Sequence, residues 1–211
     1  MTRLIAFDME GCLTDDPTVW ELMHRKWGTW DSHGAPYWDS YRAGELEYDE
    51  FARMDVAAWA GAPCEMLHES VFEVPMMPGC AELFAAIRTD NTQLAIITNG
   101  LVCLAERFRC DLGVQWIYGN VAEASGPRLS GGIDLRVPFA AKGQVLMDLA
   151  DRLNIDFDDV YAVGDGRADV EMFRVAGTGV AFCPGHPAVG EAADHIIKKR
   201  DLRELLPIVA M

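Results

Sequence analysis

Positive charge is scarce in this sequence of 211 residues. Lys and Arg total 18 against 33 Asp and Glu, which gives a net charge of −15, and only four of the cations are lysines. A molecule with this charge repels polyanions as a whole. We therefore expect no nucleic acid among its partners.

Paired cysteines and long apolar runs are also absent from the sequence. The six cysteines form no C-x-x-C pair, and no histidine lies near them at zinc-ligand spacing. No apolar stretch approaches the ~18 residues of a membrane-spanning helix, and no signal-peptide core follows Met1, Thr2 and Arg3. We expect the cysteines to be buried apolar residues in a reducing compartment, and the protein to be cytoplasmic without a membrane partner.

The rest of the composition is that of a globular protein. Hydrophobic residues make up 50% and charged residues 24% of the chain, which excludes a disordered or fibrous protein. A chain of this length buries roughly 70% of its unfolded surface, so it needs neither disulfides nor a structural metal. At about 150 residues per domain, the length corresponds to one domain with a smaller addition.

The sequence contains four short apolar runs, which are typical of buried parallel strands. A polar residue, a glycine or a cysteine ends or follows each run. The runs occupy residues 4–8, 94–97, 160–163 and 178–182. Apolar residues at helical spacing occur at residues 80–87, 146–153 and 202–209. This alternation predicts a three-layer α/β fold, in which helices cover both faces of a parallel sheet. Ligands of such folds bind beyond the carboxyl ends of the strands, where Asp8, Thr98 and Asp165 would meet.

Residues 15–75 contain no such run and hold five of the six tryptophans. We predict that they form a helical cap inserted into a core made of residues 1–14 and 76–211. Residues 119–138, where glycine-containing turns separate β-prone runs, are predicted to form a β-hairpin flap within the core. The aromatic residues of the cap either line an apolar substrate pocket or pack the interior of a small lid, and the second arrangement is the more common.

Two pairs of acidic residues follow predicted strands. Asp8 and Glu10 precede Gly11, and Asp165 and Asp169 lie in the segment Gly-Asp-Gly-Arg-Ala-Asp. Taken singly, each Asp would more often cap a helix or begin a turn. Carboxylates that converge repel one another unless a cation lies among them, and sites with oxygen ligands favour magnesium. The ordered set therefore predicts a Mg²⁺ site.

The motifs resemble those of the haloacid dehalogenase-like phosphohydrolases, and within them the phosphoserine phosphatase branch. The family signature consists of Asp-x-Asp-Gly-Thr, a strand-end Ser or Thr, a helical Lys and Gly-Asp-Gly-x-x-Asp. It is similar to residues 8–14, Thr98, Lys142 and residues 164–169. The likeness continues at residues 181–183 and 198–205, so it covers the whole core. It implies the fold of this family, a small phosphorylated metabolite as substrate, and Mg²⁺ as cofactor.

The resemblance implies roles for the acidic residues. Asp8 is expected to be the nucleophile that forms an aspartyl-phosphate. Glu10 is expected to protonate the leaving alcohol and then to activate water. Asp8, the backbone carbonyl of Glu10 and Asp165 are expected to bind Mg²⁺, while Asp169 orients the groups around the ion.

The resemblance also implies a phosphate-binding set. Thr98 and the backbone N–H groups of Asn99 and Gly100 are expected to hold phosphate oxygens, and Lys142 to offset the charge of nucleophile and phosphate. Thr98 is also compatible with a helix cap, and an isolated lysine is often a solvated surface residue. The position of Lys142, after two alanines at the start of a predicted helix, favours the catalytic role.

The match is incomplete at positions that affect chemistry and specificity. Glu10 stands where most of the family has Asp, and Ala168 where the branch usually has Asn. In the cap, Asp55 and Pro17 occupy the positions of the arginine and glutamate that bind the carboxylate and ammonium groups of phosphoserine. Arg53 is close in sequence, but two residues apart on a helix do not share a face. We expect a substrate other than phosphoserine, with Arg53 and Asp55 as candidate specificity residues.

Three functions are compatible with these residues. We favour a Mg²⁺-dependent phosphatase acting on a small phosphomonoester. The same residues would serve a phosphotransferase that passes the phosphoryl group to an alcohol such as homoserine. The substitutions at Glu10 and Ala168 also allow a phosphate-binding or interaction protein without turnover. The sequence predicts neither the identity of the substrate nor the oligomeric state.

Overall fold

The computed structural model describes residues 2–209, which form one sheet of seven strands. The strands are β1 (Arg3–Phe7), β2 (Thr92–Leu101), β3 (Trp116–Ser125), β4 (Arg128–Asp134), β5 (Val160–Gly164), β6 (Thr178–Phe182) and β7 (His195–Ile197). Their order across the sheet is β4-β3-β2-β1-β5-β6-β7. Neighbouring strands are parallel, apart from β3 and β4, which are antiparallel.

The central strand β1 shows why the sheet is covered on both sides. Its residues alternate between two apolar clusters: Ile5 and Phe7 belong to one, Leu4 and Ala6 to the other. All four side chains are fully buried. A strand that is apolar on both faces needs a layer of helices on each side.

The described residues form ten α-helices. They are α1 (Val19–Trp27), α2 (Ala35–Ala43), α3 (Tyr48–Ala58), α4 (Cys64–Glu73), α5 (Cys80–Ile87), α6 (Val102–Leu112), α7 (Lys142–Leu153), α8 (Val170–Val175), α9 (Pro187–Ala192) and α10 (Leu206–Val209). Helices α5, α6 and α10 pack on the Phe7 side of the sheet, and α7, α8 and α9 on the Leu4 side. The predicted three-layer α/β fold with a mostly parallel sheet is therefore confirmed. No helix within residues 2–209 is both long and apolar enough to cross a membrane.

Between β1 and α5 the chain leaves the sheet and forms α1 to α4, with a single π-helical turn at Trp30–Gly34. Thr18 caps α1, because its hydroxyl accepts a hydrogen bond from the N–H of Glu21. Where the chain leaves and returns, Thr14 and Met76 form an antiparallel bridge. Apolar residues of these helices join the Phe7 cluster, so this region and the sheet share one interior. The division into a core and a cap stays a prediction, and its outer bounds at residues 1 and 210–211 lie outside the described residues.

Strand β3 has two roles. Its first part pairs with β2 in the parallel sheet, and its second part pairs with β4 in an antiparallel hairpin. The hairpin falls within the predicted flap at residues 119–138, but it continues a core strand that begins at Trp116. The sequence pattern did not reveal this strand, because its buried and exposed residues do not form an apolar run.

The turn of the hairpin is hydrogen-bonded to the loop between α3 and α4. The N–H of Cys64 donates to the carbonyl of Pro127, and the N–H of Leu129 donates to the carbonyl of Ala62, both at 2.9 Å. The guanidinium of Arg128 donates to the carbonyl of Gly61 at 2.6 Å. The cap is therefore joined to the hairpin largely through backbone groups.

The C-terminal apolar stretch differs from its prediction. Its spacing predicts a helix over residues 202–209, but the structure has a 3₁₀ helix at Leu202–Leu205 that is followed by α10. Pro207 has no N–H to donate to the carbonyl four residues earlier, so one continuous α-helix through this position is unfavourable. Asp201 caps the 3₁₀ helix by accepting a hydrogen bond from the N–H of Arg203.

The cysteines are free thiols, and they differ in burial. Cys12 and Cys80 are buried, whereas Cys110 is exposed on α6; Cys64, Cys103 and Cys183 are partly buried. The expectation of buried apolar cysteines is therefore correct for two positions and wrong for Cys110, which lies on the outward face of its helix.

Candidate active site

Three carboxylates meet beyond the ends of two neighbouring strands. Asp8 follows β1 and Asp165 follows β5, and these strands pair in parallel. The N–H of Asp8 donates to the carbonyl of Val163 at 2.8 Å, which continues the pairing to the strand ends. Because this register places the two ends side by side, carboxylate oxygens of Asp8, Asp165 and Asp169 lie within 4.8 Å of one another.

Gly11 allows the turn after β1 to approach Asp165. Its φ is +87°, in the left-handed region. A Cβ at this position would lie only 2.5 Å from Oδ2 of Asp165. Any residue with a side chain would meet both the carboxylate and an unfavourable backbone angle. The contact between the two acidic motifs therefore requires glycine here.

Lys142 lies between two of the carboxylates. It is the first residue of α7, and its Nζ donates to Oδ1 of Asp8 at 2.6 Å and to Oδ1 of Asp169 at 2.7 Å. The residue is only 2% exposed, which excludes a solvated surface lysine. Burial acts to lower the pKa of Lys142, but the charges of Asp169 and Asp8 outweigh this and raise it. The lysine is therefore held as a buried cation.

Asp169 shapes the turn that carries Asp165. Its Oδ2 accepts hydrogen bonds from the N–H groups of Asp165 and Gly166, at 3.1 and 2.9 Å. Burial raises the pKa of Asp169 to about 6, although Lys142 opposes the shift. Burial and the charges of Asp8 and Asp169 raise the pKa of Asp165 well above its usual value. One ammonium group therefore leaves negative charge uncompensated among these carboxylates.

Glu10 is held by the cap. Its Oε1 accepts from the N–H of Val19 at 3.2 Å and its Oε2 from Nε1 of Trp20 at 2.8 Å, and both donors belong to the first turn of α1. The carboxylate of Glu10 also lies close to Gly100, since a Cβ at Gly100 would be only 2.7 Å from Oε2 of Glu10. Burial raises the pKa of Glu10 to about 7, despite the hydrogen bonds that favour its charged form. A carboxyl group with this pKa can donate and accept a proton near neutral pH.

Thr98, Asn99 and Gly100 lie near the end of β2, beside β1. Oγ1 of Thr98 accepts a hydrogen bond from the N–H of Gly100 at 2.9 Å. Helix α6 begins only at Val102, so Thr98 does not cap it. Thr98 and Asn99 are buried, and all three residues border the same cavity as Asp8. Strand pairing thus brings the predicted phosphate-binding residues to the acidic cluster.

Asn120 supports this strand end, and sequence reasoning missed it. Its side chain donates to the carbonyl of Asn99 at 2.6 Å and accepts from the N–H of Val137 at 2.8 Å. The side chain of Asn99 in turn donates to the carbonyls of Val137 and Pro138, both at 3.0 Å. The network fixes the segment that leads to Lys142. The only signal in the sequence is an asparagine within a β-prone run, since a buried amide needs partners.

The acidic cluster opens into a cavity of about 310 Å³. Six aromatic side chains line the cavity: Trp20, Trp38, Tyr41, Tyr48, Phe51 and Phe139. All but Phe139 belong to residues 15–75. Trp59 is fully buried among other residues of the same region. Some cap aromatics therefore line the cavity and others pack the interior, and a substrate pocket at this cavity stays a prediction.

Several polar residues at the cavity were also missed. Asp16, Thr18 and Arg200 border it, and Arg200 is paired with Asp15. Arg167, in the second acidic motif, borders it too and is exposed. Burial raises the pKa of the Tyr41 hydroxyl, and the nearby Arg167 partly offsets this.

The two candidate specificity residues lie elsewhere. Oδ1 of Asp55 lies 3.0 Å from Nε2 of His24, and both side chains are buried within the cap. Arg53 is exposed, and its guanidinium donates to the carbonyl of Asp49 at 3.2 Å. Neither Arg53 nor Asp55 borders the cavity. Asp55 follows Phe51 by one helical turn and lies beneath the aromatic side chains, whereas Arg53 lies on another face of α3. The geometry therefore does not support contact of either residue with a substrate.

A family comparison accounts for this constellation. The model of the haloacid dehalogenase-like hydrolases matches residues 5–174. The chain belongs to this family. The motif resemblance is confirmed, as is the class of enzyme, a haloacid dehalogenase-like hydrolase similar to the phosphoserine phosphatases.

Members of the haloacid dehalogenase-like family match the chain over its full length. The phosphoserine phosphatase of Methanocaldococcus jannaschii is 27% identical over 208 residues, which cover 98% of this chain and 97% of that protein. The phosphoserine phosphatase of Campylobacter jejuni subsp. doylei is 29% identical over 212 residues, with 99% and 100% coverage. A solved phospho-aspartyl intermediate analogue of phosphoserine phosphatase superposes with a TM-score of 0.89 at 26% identity, covering 99% of both chains.

The donor set of this haloacid dehalogenase-like hydrolase fits a hard divalent cation. The cluster of Asp8, Asp165 and Asp169 offers only carboxylate oxygens, the donors that such cations prefer. These three carboxylates share a single buried ammonium group, that of Lys142, so negative charge is in excess there. A divalent cation would remove this repulsion, so the residues present are suited to a metal.

Proposed function

We propose that the protein is a Mg²⁺-dependent phosphatase that hydrolyses a small phosphomonoester through an aspartyl-phosphate. The observation that carries the proposal is the meeting of Asp8, Asp165, Asp169 and Lys142 at one end of a cavity of about 310 Å³. The similarity to a phosphoserine phosphatase with a phospho-aspartyl analogue supports Asp8 as the nucleophile.

The core residues divide between metal and phosphate. Asp8, Asp165 and the backbone carbonyl of Glu10 would hold Mg²⁺, while Asp169 keeps the turn of Asp165 in place. When bound, the ion supplies positive charge that offsets the charge developing on the phosphoryl oxygens. Oγ1 of Thr98 already accepts a hydrogen bond from Gly100, so its own O–H is available to a phosphate oxygen.

The first chemical step transfers the phosphoryl group to Asp8. Oδ1 of Asp8 is engaged by Lys142, which leaves Oδ2 to attack phosphorus. As this bond forms, the bond between phosphorus and the alcohol oxygen breaks, and Glu10 gives its proton to that oxygen. Lys142 offsets the charge on the carboxylate and the phosphate throughout.

The second step releases phosphate. Glu10, now a carboxylate, takes a proton from water while the water oxygen attacks phosphorus. The bond between phosphorus and Asp8 breaks, and Asp8 is restored as a carboxylate. The pKa of about 7 suits Glu10 to act as an acid in one step and a base in the next.

Hydrolysis of p-nitrophenyl phosphate in the presence of Mg²⁺ tests the proposal. We expect turnover by the wild type and loss of at least ~10³-fold in kcat for Asp8→Asn, because the nucleophile is removed. Asp134→Asn is the matched control, since Asp134 is exposed and paired with Arg136. In rapid acid quench, the wild-type peptide that contains Asp8 should gain the mass of one phosphoryl group. A wild type that binds phosphate but hydrolyses no ester would instead be a phosphate-binding protein.

Transfer to an alcohol is a second candidate function, favoured by the burial of Glu10 beneath α1. A base that is covered by the cap meets an enclosed acceptor more readily than bulk water. Addition of homoserine or another small alcohol should then lower free phosphate while ester consumption is maintained. If free phosphate equals consumed ester at every acceptor concentration, hydrolysis is the reaction.

A further inference from the structure

We propose that the alcohol part of the substrate carries an aromatic ring, which binds against the six aromatic side chains that line the cavity. This inference rests on the proposed function, since it names the substrate class of the same site. The aromatic wall comprises Trp20, Trp38, Tyr41, Tyr48, Phe51 and Phe139. It faces the cavity that also contains Asp8, so a phosphate ester bound at Asp8 has room to place its alcohol against this wall.

The rings of the aromatic wall are in mutual contact. Tyr41 and Phe51 are stacked, with centroids 5.4 Å apart and planes inclined by 25°. Trp38 lies 5.9 Å from Phe51, and Tyr48 lies 6.0 Å from Phe139, which connects the cap to the core. These separations are those of favourable aromatic pairs, so a further ring can extend the cluster.

Trp38 is the exposed end of the aromatic wall. It is 38% exposed, whereas Trp20 and Phe51 are 5% and 2% exposed. An indole that borders a cavity and remains uncovered has apolar surface available to a ligand. The position of Trp38 therefore marks where a ligand ring would bury additional surface.

Among the cations that line the cavity, only Arg167 lacks a carboxylate partner within residues 2–209. Arg53 lies outside the cavity, and Asp55 is buried beside His24. Lys142 is engaged by Asp8 and Asp169, and Arg200 by Asp15. A phosphorylated amino acid would thus have one lining cation, Arg167, for its carboxylate, and no arginine from the cap.

A phosphate ester of a quaternary ammonium alcohol could also bind against aromatic side chains, through cation–π contacts. The positive charge of Arg167 at this cavity disfavours such a ligand. Arg167 borders the cavity beside Tyr41 and forms no ion pair with a carboxylate among residues 2–209. Its guanidinium would repel an ammonium group, whereas it stacks favourably on a neutral ring. The cavity of about 310 Å³ is at the small end for ligand sites, which favours one ring on a short chain.

Paired esters test the inference at equal leaving-group reactivity. We would measure kcat/KM for 2-phenylethyl, 2-cyclohexylethyl and ethyl phosphate, together with phosphoserine and phosphocholine, with Mg²⁺ present. We expect 2-phenylethyl phosphate to exceed ethyl phosphate by about 30-fold through apolar burial. It should exceed the cyclohexyl ester by about fivefold through ring contacts. Equal values for the phenyl and cyclohexyl esters, or a preference for phosphoserine or phosphocholine, would overturn the inference.

Two variants localise the effect. Trp38→Leu should lower the ratio of kcat/KM for 2-phenylethyl over ethyl phosphate by about fivefold, and Trp38→Phe should restore most of it. Phe72→Leu is the matched control, because Phe72 is a cap aromatic that is 67% exposed and lies outside the cavity. A ratio that falls equally in Trp38→Leu and Phe72→Leu would contradict recognition by the aromatic wall.

Binding separates this inference from the proposed function. If no ester is hydrolysed, the proposed function fails, and calorimetry with non-hydrolysable phosphonates still tests the ring preference. We expect 3-phenylpropylphosphonate to bind about fivefold more tightly than 3-cyclohexylpropylphosphonate to the wild type, and this difference to shrink in Trp38→Leu. Equal affinities for the two phosphonates would reject the aromatic ligand whatever the catalytic result.

Discussion

The two ends of the cavity are built by different means. At the acidic end, Asp8 and Asp165 extend from paired strands, and backbone hydrogen bonds set their separation. At the other end, the aromatic wall consists of side chains from helices α1, α2 and α3 together with Phe139 of the core, held by contacts between rings. The first arrangement depends on sheet register and the second on packing. The comparison indicates that reaction chemistry and substrate choice can be altered separately in this molecule.

Replacement of Lys142 should have the largest effect on activity, and it should lower kcat equally for every ester. Lys142→Met keeps the length of the side chain but leaves Asp8 and Asp169 without their shared cation. We expect kcat to fall about 10³-fold for both ethyl and 2-phenylethyl phosphate, as for loss of a strong transition-state contact. Lys26→Met, at an ion pair outside the cavity, is the control. A loss confined to one ester would show that the two ends do not act separately.

A matched pair of glycines tests how tightly the acidic end is fixed. Gly11→Ala places a Cβ 2.5 Å from Asp165 at a φ of +87°, and should destabilise the fold by about 4 kcal/mol. Gly28→Ala has a similar φ of +72° but no atom within 4 Å of the new Cβ, so about 1 kcal/mol is expected. Urea unfolding measures both values. Equal losses would mean that backbone strain alone, and not the approach to Asp165, makes Gly11 necessary.

Burial of carboxyl groups at the acidic end should make the protein less stable as pH rises, provided that metal is removed by a chelator. The pKa of Glu10 is raised from 4.5 to about 7 and that of Asp169 to about 6, so the folded state retains protons that the unfolded state has lost. The free energy of unfolding therefore falls between pH 4.5 and 7, by roughly 3 kcal/mol from Glu10 alone.

Chemical denaturation at several pH values measures this slope. Glu10→Gln should flatten it, because the amide does not titrate. Added Mg²⁺ should raise stability most at the upper end of the range, where the carboxylates are ionised. Stability that increases with pH in the presence of chelator would contradict the raised pKa values of these buried carboxyl groups.

Trp20 contributes to both ends of the cavity, because it bonds Glu10 and is part of the aromatic wall. Its replacement should therefore affect both ends together. Trp20→Phe keeps an aromatic ring but removes the N–H that holds Oε2 of Glu10 at 2.8 Å. Loss of a hydrogen bond to a carboxylate is expected to lower kcat about tenfold. The loss should be larger for alkyl phosphates than for p-nitrophenyl phosphate, because the nitrophenolate leaves without a proton from Glu10. An equal loss for both leaving groups would contradict a role of this hydrogen bond in proton donation to the leaving alcohol.

Arg53→Ala should have the smallest effect. Arg53 is exposed and lies outside the cavity, where it bonds only the carbonyl of Asp49. We expect kcat/KM for phosphoserine and for 2-phenylethyl phosphate to stay within about twofold of the wild-type values. A selective loss for phosphoserine would return Arg53 to the role suggested by its position in the sequence.

The sheet and the acidic end could be predicted because their signals are local. Each predicted strand is an apolar run, and Asp8 and Asp165 directly follow such runs. Parallel pairing then brings the strand ends together without knowledge of any side-chain contact. Gly11 follows from the same pattern, since a turn must succeed the first strand, whereas Lys142 was predicted from the family resemblance and its position at a helix start.

The remaining features depend on contacts between residues far apart in sequence. Asn120 reaches Asn99 only because β3 lies beside β2, and β3 itself is not an apolar run. The packing of α1, α2 and α3 on one another determines which of their side chains line the cavity. The same helical spacing buries Asp55 beside His24 and leaves Arg53 outside, so their sequence positions were a poor guide to the cavity.

The backbone bonds between the α3–α4 loop and the hairpin turn attach the cap to the sheet away from the points where its chain enters and leaves. A lid that is fastened only where its chain enters and leaves the sheet can swing freely about that axis. Here, the bonds of Cys64 and Leu129 oblige the hairpin either to release the cap or to travel with it. If the cap opens by the second route, β3 and β4 bend with it, and a stiffer hairpin would slow that opening without touching any reacting atom.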